Sequence, residues 1–161
     1  MNFFWEEADT VFREDPMMEQ VDFYILGSAD PMDKLRFACR VSQKAYNQGL
    51  TVHLQTETSQ QSTRLDALLW TFSQCSFVPH AMAGGTAVDW DNFPVQIGNA
   101  LDDNPEADVL ISLVERVPET RSRCQRIVDL VAASPPEKAA GRKRFRYYLE
   151  QGIKPDTHHI A

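Results

Sequence analysis

Residues 108–114 read Asp-Val-Leu-Ile-Ser-Leu-Val, and this almost continuous apolar run is the strongest strand signal in the chain. Such a run is typical of a parallel strand that lies in the middle of a sheet and is buried on both faces. Residues 21–26, Val-Asp-Phe-Tyr-Ile-Leu, and residues 51–55, Thr-Val-His-Leu-Gln, predict two further strands. Residues 95–98, Val-Gln-Ile-Gly, predict a short fourth strand.

Helix signals follow the first two strands. Residues 32–48 have apolar and small side chains at helical spacing, and Gly49 marks the end. Thr58 and Gln61 have the spacing of a capping box, which predicts a second helix to about residue 72. Strands that alternate with helices predict a parallel sheet covered on its faces. We therefore expect a single α/β domain, a Rossmann-like three-layer sandwich with a mostly parallel sheet.

Two more helices are predicted after residue 114. Pro118 suits the first turn of a helix. Apolar residues then recur at helical spacing: Cys124, Ile127, Val128 and Val131. Ser134 and Glu137 form a second capping-box pattern around a Pro-Pro pair, which predicts a last helix to about residue 151. Residues 73–94 are rich in loop signals.

Length and charge suggest the domain boundaries. The chain has 161 residues, enough for one compact domain. Its first 33 residues hold nine acidic side chains and one basic side chain. We divide the chain into an acidic N-terminal extension at 1–20, for which disorder is one interpretation, a domain at 21–154, and a C-terminal tail at 155–161.

Composition argues against several classes of function. The net charge of −7 is unsuited to a surface that covers a phosphate backbone. No segment reaches the roughly 20 apolar residues of a membrane span, and three separate cysteines are typical of a reduced, cytoplasmic protein. Basic residues cluster near the C-terminus: Lys138, Arg142, Lys143, Arg144 and Arg146. An acidic chain with one basic patch suits an acidic peptide.

Sequence patterns for catalysis and cofactors are missing. The loop after the first strand, Gly27-Ser-Ala-Asp-Pro31, lacks the closely spaced glycines that cradle phosphate. The histidines show no metal-ligand spacing, and Ser112 lies inside a strand rather than in a nucleophile elbow. We expect no cofactor, no metal and no catalytic site. The alternative is a small nucleotide-binding or hydrolytic α/β protein with a degenerate phosphate loop.

Trp70 is the first candidate for an interaction surface. It lies about 150° around its predicted helix from the apolar stripe of that helix. Tryptophan is a preferred anchor of protein interfaces, and the apolar loop Ser76-Phe-Val-Pro-His80 follows closely. Either these residues form an interface, or residues 81–94 fold back and cover them.

The last predicted helix is the second candidate. Lys138, Arg142, Arg146 and Leu149 all fall within about 100° on one side of Phe145. Such a surface could hold a peptide with both an apolar side chain and negative charges, since arginine binds carboxylates well. In the alternative interpretation Phe145 and Tyr148 point into the core and the cations are merely solvated.

Several segments together resemble a known family. They are Val21–Leu26, Arg64–Trp70 (Arg-Leu-Asp-Ala-Leu-Leu-Trp), Ser76–His80, Asp108–Leu113, Val128-Asp129, and Arg142–Tyr148 with Gly152. From Val21 to about Lys154 the chain is similar to the chi subunit of bacterial DNA polymerase III. The resemblance implies a non-catalytic replication protein that binds the psi subunit of the clamp loader. It also implies binding to the acidic C-terminal tail of single-stranded-DNA-binding protein, which ends in Asp-Ile-Pro-Phe. Contact with DNA would be only indirect, and none with membranes is implied.

The resemblance also assigns residues to two sites. The psi-facing positions are Trp70, Phe77, Pro79 and His80. The tail-binding positions are Val131, Lys138, Arg142, Phe145 and Arg146. In this assignment Arg142 takes the terminal carboxylate, and Lys138 and Arg146 meet the aspartates of the tail. Leu149 stands where the family would supply another base, so either the cationic ridge is shorter or Lys143 and Arg144 compensate.

Overall fold

A computed structural model describes residues 20–71, 78–82, 91–98, 107–118 and 124–160. The strands are β1 (Gln20–Leu26), β2 (Val52–Gln55), β3 (His80–Met82), β4 (Val95–Gly98), β5 (Val109–Ser112), β6 (Arg126–Val131) and β7 (Asp156–Ile160). The helices are α1 (Pro31–Asn47), α2 (Ser59–Thr71) and α3 (Pro135–Glu150). Of the residues predicted as an acidic extension, only Gln20 is described, and it opens β1.

These strands form one sheet in the order β3-β4-β2-β5-β6-β1-β7. Every neighbouring pair is parallel. β5 is the middle strand, as the apolar run at 108–114 predicts, and its Leu110 and Ile111 are both fully buried. The predicted α/β sandwich with a parallel sheet is confirmed.

Alternate residues of the strands face two different layers. On one face Tyr24 and Leu26 of β1 share an apolar cluster with residues of α1 and α2. On the other face Phe23 packs with Tyr148 of α3. The sheet is therefore covered on both sides, and α3 lies on the face opposite to α1 and α2.

Both predicted ends of the first helix and the predicted start of the second are confirmed to within one residue, whereas the predicted end of the second helix, at about residue 72, lies outside the described residues. The Asp30 side chain caps α1 by accepting a 2.9 Å hydrogen bond from the Met32 N–H. Gly49 follows the helix with a φ of 79°, which suits glycine. Thr58 Oγ1 accepts from the Gln61 N–H at 3.1 Å, which is one half of the predicted capping box at α2. The Gln61 side chain accepts from the Glu57 N–H, at 2.8 Å, instead of from the Thr58 N–H.

The helix predicted through Cys124 and Val131 is wrong, because Arg126–Val131 forms strand β6. Arg126 and Asp129 gave the segment an amphipathic pattern, as if one side faced water. Both side chains are in fact buried against distant partners. Arg126 Nε lies 2.7 Å from Asp22 Oδ2, and Asp129 Oδ2 lies 2.8 Å from Arg144 Nε. Once these charges are paired, the segment is suited to a strand buried on both faces.

The predicted tail at 155–161 is also wrong, because Asp156–Ile160 is strand β7 beside β1. β7 is held by backbone pairing with β1. His158 adds two contacts: its Nε2 lies 3.1 Å from Asp22 Oδ1, and its ring stacks on Tyr24 with 4.7 Å between centroids. β3 was likewise missed within the predicted loop, and it contains His80. Both strands are too short or too polar to show the alternation of apolar and polar residues by which a strand is predicted from sequence.

The predicted capping box at α3 does not form. Ser134 is the N-cap residue, but its side chain makes no capping hydrogen bond. Glu137 instead accepts from the Ala132 N–H at 3.2 Å and pairs with Lys34 Nζ at 3.0 Å. Glu137 thus links the start of α3 to the end of β6 and to α1.

Candidate peptide-binding pocket and Trp70 surface

A cavity of about 270 Å³ lies between α3 and the β1–β7 end of the sheet. Four of the predicted tail-binding residues line it: Val131, Lys138, Arg142 and Phe145. Arg146, the remaining predicted residue, is exposed on α3 but does not line the cavity. The other lining residues, which sequence reasoning missed, are Phe23, Ile25, Gly141, Thr157 and His159. We call this cavity the α3 pocket.

The floor of the α3 pocket is apolar. Phe23 and Val131 are almost fully buried beneath it. Phe145 is half-buried and meets Phe23 edge to face, with ring centroids 5.4 Å apart. Tyr148, in contrast, is fully buried in the core. The two sequence interpretations therefore each hold for one aromatic residue: Tyr148 belongs to the core, and Phe145 forms part of the pocket.

Gly141 allows α3 to approach the sheet closely. A Cβ atom built at this position would lie only 2.9 Å from Cγ2 of Val131. Real carbon atoms do not pack this closely, so a larger residue would force the helix or Val131 to move. A glycine in the interior of a predicted helix is the sequence signal that could have identified this contact.

The rim of the α3 pocket is cationic. Lys138 and Arg142 are four residues apart on α3, so they extend on the same side of the helix, and both are exposed. None of the described residues that line the pocket has a carboxylate. An apolar floor under a cationic rim is suited to a ligand that combines an apolar group with negative charge.

Arg144 cannot add to this rim. Its guanidinium binds Asp129 through two hydrogen bonds of 2.8 and 2.9 Å and donates a third, of 2.6 Å, to the Glu115 carbonyl oxygen. This buried pair attaches α3 to β6. The proposed compensation by Arg144 is therefore wrong, whereas Lys143 is exposed.

Trp70 lies in the last turn of α2, which packs against β3, and we call Trp70, Pro79 and Met82 together the Trp70 surface. Trp70 is 59% exposed at the end of α2, as its position opposite the apolar stripe predicts. His80 is buried, and its ring lies 5.3 Å from the Trp70 ring in an edge-on contact. Its Nδ1 lies 2.7 Å from the Val78 carbonyl oxygen and its Nε2 lies 3.1 Å from Asp66 Oδ1. His80 therefore supports Trp70 from beneath.

Phe77, the other predicted psi-facing residue, lies outside the described residues. The Trp70 surface is next to β3, and the α3 pocket is lined from β6, β1 and β7. These strands are at opposite ends of the sheet, and α2 and α3 cover opposite faces. The two surfaces are thus well separated.

A second cavity, of about 480 Å³, lies beyond the carboxyl ends of the strands, where α/β proteins often bind nucleotides. Its charged lining residues are Lys34, Glu57, Glu115 and Glu137. At the start of α1 the Met32 N–H already donates to the Asp30 side chain, so it is not available to a phosphate. At the start of α3 Pro135 and Pro136 have no backbone N–H that could donate to one. These features disfavour phosphate binding here.

The part of the chain that the structure describes has neither a cluster of metal ligands nor a membrane-spanning helix. Its His, Cys, Asp and Glu side chains form no group of three that could hold a metal ion. None of its helices is long and apolar enough to cross a bilayer.

Comparison with known proteins gives a consistent result. Residues 18–156 match the family described as DNA polymerase III chi subunit, HolC. A Pseudomonas aeruginosa protein named DNA polymerase III subunit chi is 36% identical over 143 residues, which is 89% of this chain and 98% of that protein. The Escherichia coli protein of the same name is 28% identical over 149 residues, 87% of this chain and 97% of that protein. The Haemophilus influenzae protein of that name is 26% identical over 146 residues, 90% of this chain and all of that protein.

Proposed function

The chain belongs to the DNA polymerase III chi subunit family, and from this membership we propose that it is a non-catalytic adaptor of the replisome. In this proposal the α3 pocket binds the acidic C-terminal tail of single-stranded-DNA-binding protein, and the Trp70 surface binds the psi subunit of the clamp loader. The observation that carries the proposal is the apolar α3 pocket beneath the exposed Lys138 and Arg142.

The pocket suggests how the tail is held. The terminal phenylalanine of a tail ending in Asp-Ile-Pro-Phe would lie on the floor formed by Phe23, Val131 and Phe145. Its carboxylate would then be near Arg142, which can donate two parallel hydrogen bonds. The preceding aspartate would extend towards Lys138, and Arg146, one turn along α3 from Arg142, would attract acids further upstream.

Binding of a synthetic acidic peptide ending in Asp-Ile-Pro-Phe tests this role. Amidation of its C-terminus should lower the affinity about tenfold or more, because hydrogen bonds to charged groups contribute about 1.5–3 kcal/mol. Arg142→Ala should cause a similar loss, and the two changes together should add little, since they remove the same contact. Fluorescence anisotropy measures all four combinations.

Arg40→Ala is the matched control, because Arg40 is an exposed cation on α1, which covers the face of the sheet opposite to the α3 pocket. It should change affinity far less than Arg142→Ala. Equal binding of the acid and the amide would show that Arg142 does not receive the carboxylate. Absence of binding by either peptide would contradict the adaptor role itself.

The Trp70 surface is tested in the same way with the psi subunit. Trp70→Ala should weaken binding by about 2 kcal/mol or more, as truncation of an interface anchor typically does. Tyr147→Ala, which removes a partly exposed aromatic from α3, is the control. Equal losses of thermal stability and psi binding in Trp70→Ala would instead show that Trp70 stabilises the fold.

Bridging requires that both partners bind at once. Because the two surfaces lie at opposite ends of the sheet, a saturating amount of the tail peptide should leave psi affinity unchanged. Competition between the tail peptide and the psi subunit would contradict a bridging role.

The alternative function, nucleotide binding, predicts that nucleotides raise the melting temperature of the protein, and we expect no such shift.

A further inference from the structure

Strand β7 forms the outer wall of the α3 pocket. Thr157 is the register partner of Phe23, and His159 is the register partner of Ile25. Register partners on parallel strands direct their side chains to the same face, and all four residues line the pocket. The peptide site therefore has two walls: α3 on one side and the edge strand β7 on the other.

His159 is the ionisable group of this second wall. Lys138 and Arg142 face the pocket from α3, and Thr157 is its neighbour within β7. Phe23 and Ile25 from β1 and Val131 from β6 are apolar. No carboxylate belongs to the described lining residues, so none of them neutralises an imidazolium there. Imidazole is the side chain that ordinarily changes its charge near neutral pH, whereas lysine and arginine remain cations.

We propose that His159 is an affinity-determining residue of the α3 pocket, and that its imidazolium makes the binding of an acidic peptide stronger below neutral pH. This inference rests on the proposed peptide-binding function. Peptide carboxylates remain ionised above about pH 5. An imidazole ordinarily gains a proton as the pH falls below neutral, so a third cation would then face the ligand from the wall opposite Lys138 and Arg142.

The dissociation constant of the N-acetylated acidic peptide, measured at pH 8.0, 6.5 and 5.5 at constant salt, tests the proposal. Acetylation removes the amino group of the peptide, which would otherwise titrate in this range. We expect affinity to rise about two- to fivefold from pH 8.0 to pH 5.5, the range typical of exposed ion pairs. His159→Gln should abolish most of this rise and leave affinity at pH 8.0 nearly unchanged.

His158→Gln is the matched control. His158 points to the opposite face of the sheet, where it contacts Asp22 and Tyr24. This variant should retain the pH dependence of the wild-type protein. A pH dependence that persists in His159→Gln would overturn the proposal.

The experiment also separates this inference from the adaptor role. Peptide binding that depends on Arg142 but not on pH would refute the proposed effect of His159 on affinity and leave the tail-binding function intact. No binding at any pH would refute both.

Discussion

A methyl group added at Gly141 tests how closely α3 must approach the sheet. The new Cβ would lie 2.9 Å from Cγ2 and 3.2 Å from Cγ1 of Val131. Val131 is β-branched and buried on β6 beside Ile25, so it has little freedom to move away. Overpacking of this kind costs about 1–3 kcal/mol, whereas alanine is favoured over glycine inside a helix by about 1 kcal/mol. We therefore expect Gly141→Ala to lower the free energy of unfolding by about 1 kcal/mol.

Val131→Ala provides the matched background, because it removes both methyl groups that the new Cβ would contact. In that background Gly141→Ala should raise the free energy of unfolding by about 1 kcal/mol, since only the helix preference remains. The coupling between the two positions is then about 2 kcal/mol. Urea unfolding of the four proteins, followed by circular dichroism, measures it. An effect of Gly141→Ala that is the same in both backgrounds would refute the close contact.

Three further predictions concern buried groups. Burial lowers the pKa of His53 to about 4, below its ordinary value of 6.5. The unfolded chain therefore binds the proton more readily, and the free energy of unfolding should fall by about 3 kcal/mol as pH drops from 6.5 to 4. Urea titrations at pH 7 and pH 5 should show a smaller loss for His53→Gln, and an equal loss would contradict this. Burial raises the pKa of Cys39 to about 12, so iodoacetamide at pH 8 should not modify Cys39 in the folded protein, as peptide mass mapping can show. Rapid modification would place the thiol in contact with solvent. Arg144→Ala leaves Asp129 buried without its partner and should cost about 3–5 kcal/mol in urea unfolding, whereas Lys143→Ala should cost less than about 0.5 kcal/mol. Similar losses would contradict a structural role of the buried pair.

Features that depend on neighbouring residues in the chain were predictable. The apolar run at 108–114 places β5 in the sheet centre because a strand buried on both faces needs apolar side chains on both. The cationic rim was predictable too, since Lys138 and Arg142 belong to one helix with a known periodicity. The exposed position of Trp70 follows from the same periodicity.

Features that depend on distant partners were decided only by the tertiary structure. β6 was mistaken for a helix because the partners of Arg126 and Asp129 lie far away in the sequence, at Asp22 and Arg144. The assignment of Tyr148 to the core and of Phe145 to the pocket depends on how α3 is rotated against the sheet, and the sequence of α3 leaves both possible.

In the α3 pocket, too, some features follow from neighbouring residues in the chain and others depend on distant segments. Its cationic rim comes from one helix, but Phe23 of its floor and the outer wall belong to strands more than 100 residues apart in the chain, β1 and β7. β7 is a short polar edge strand with no apolar pattern of its own, so only its pairing with β1 reveals it. The sequence alone thus determined the chemistry of the rim. The tertiary structure decided that His159 lies across the pocket from Arg142, because side chains from separate segments meet only when the sheet has formed.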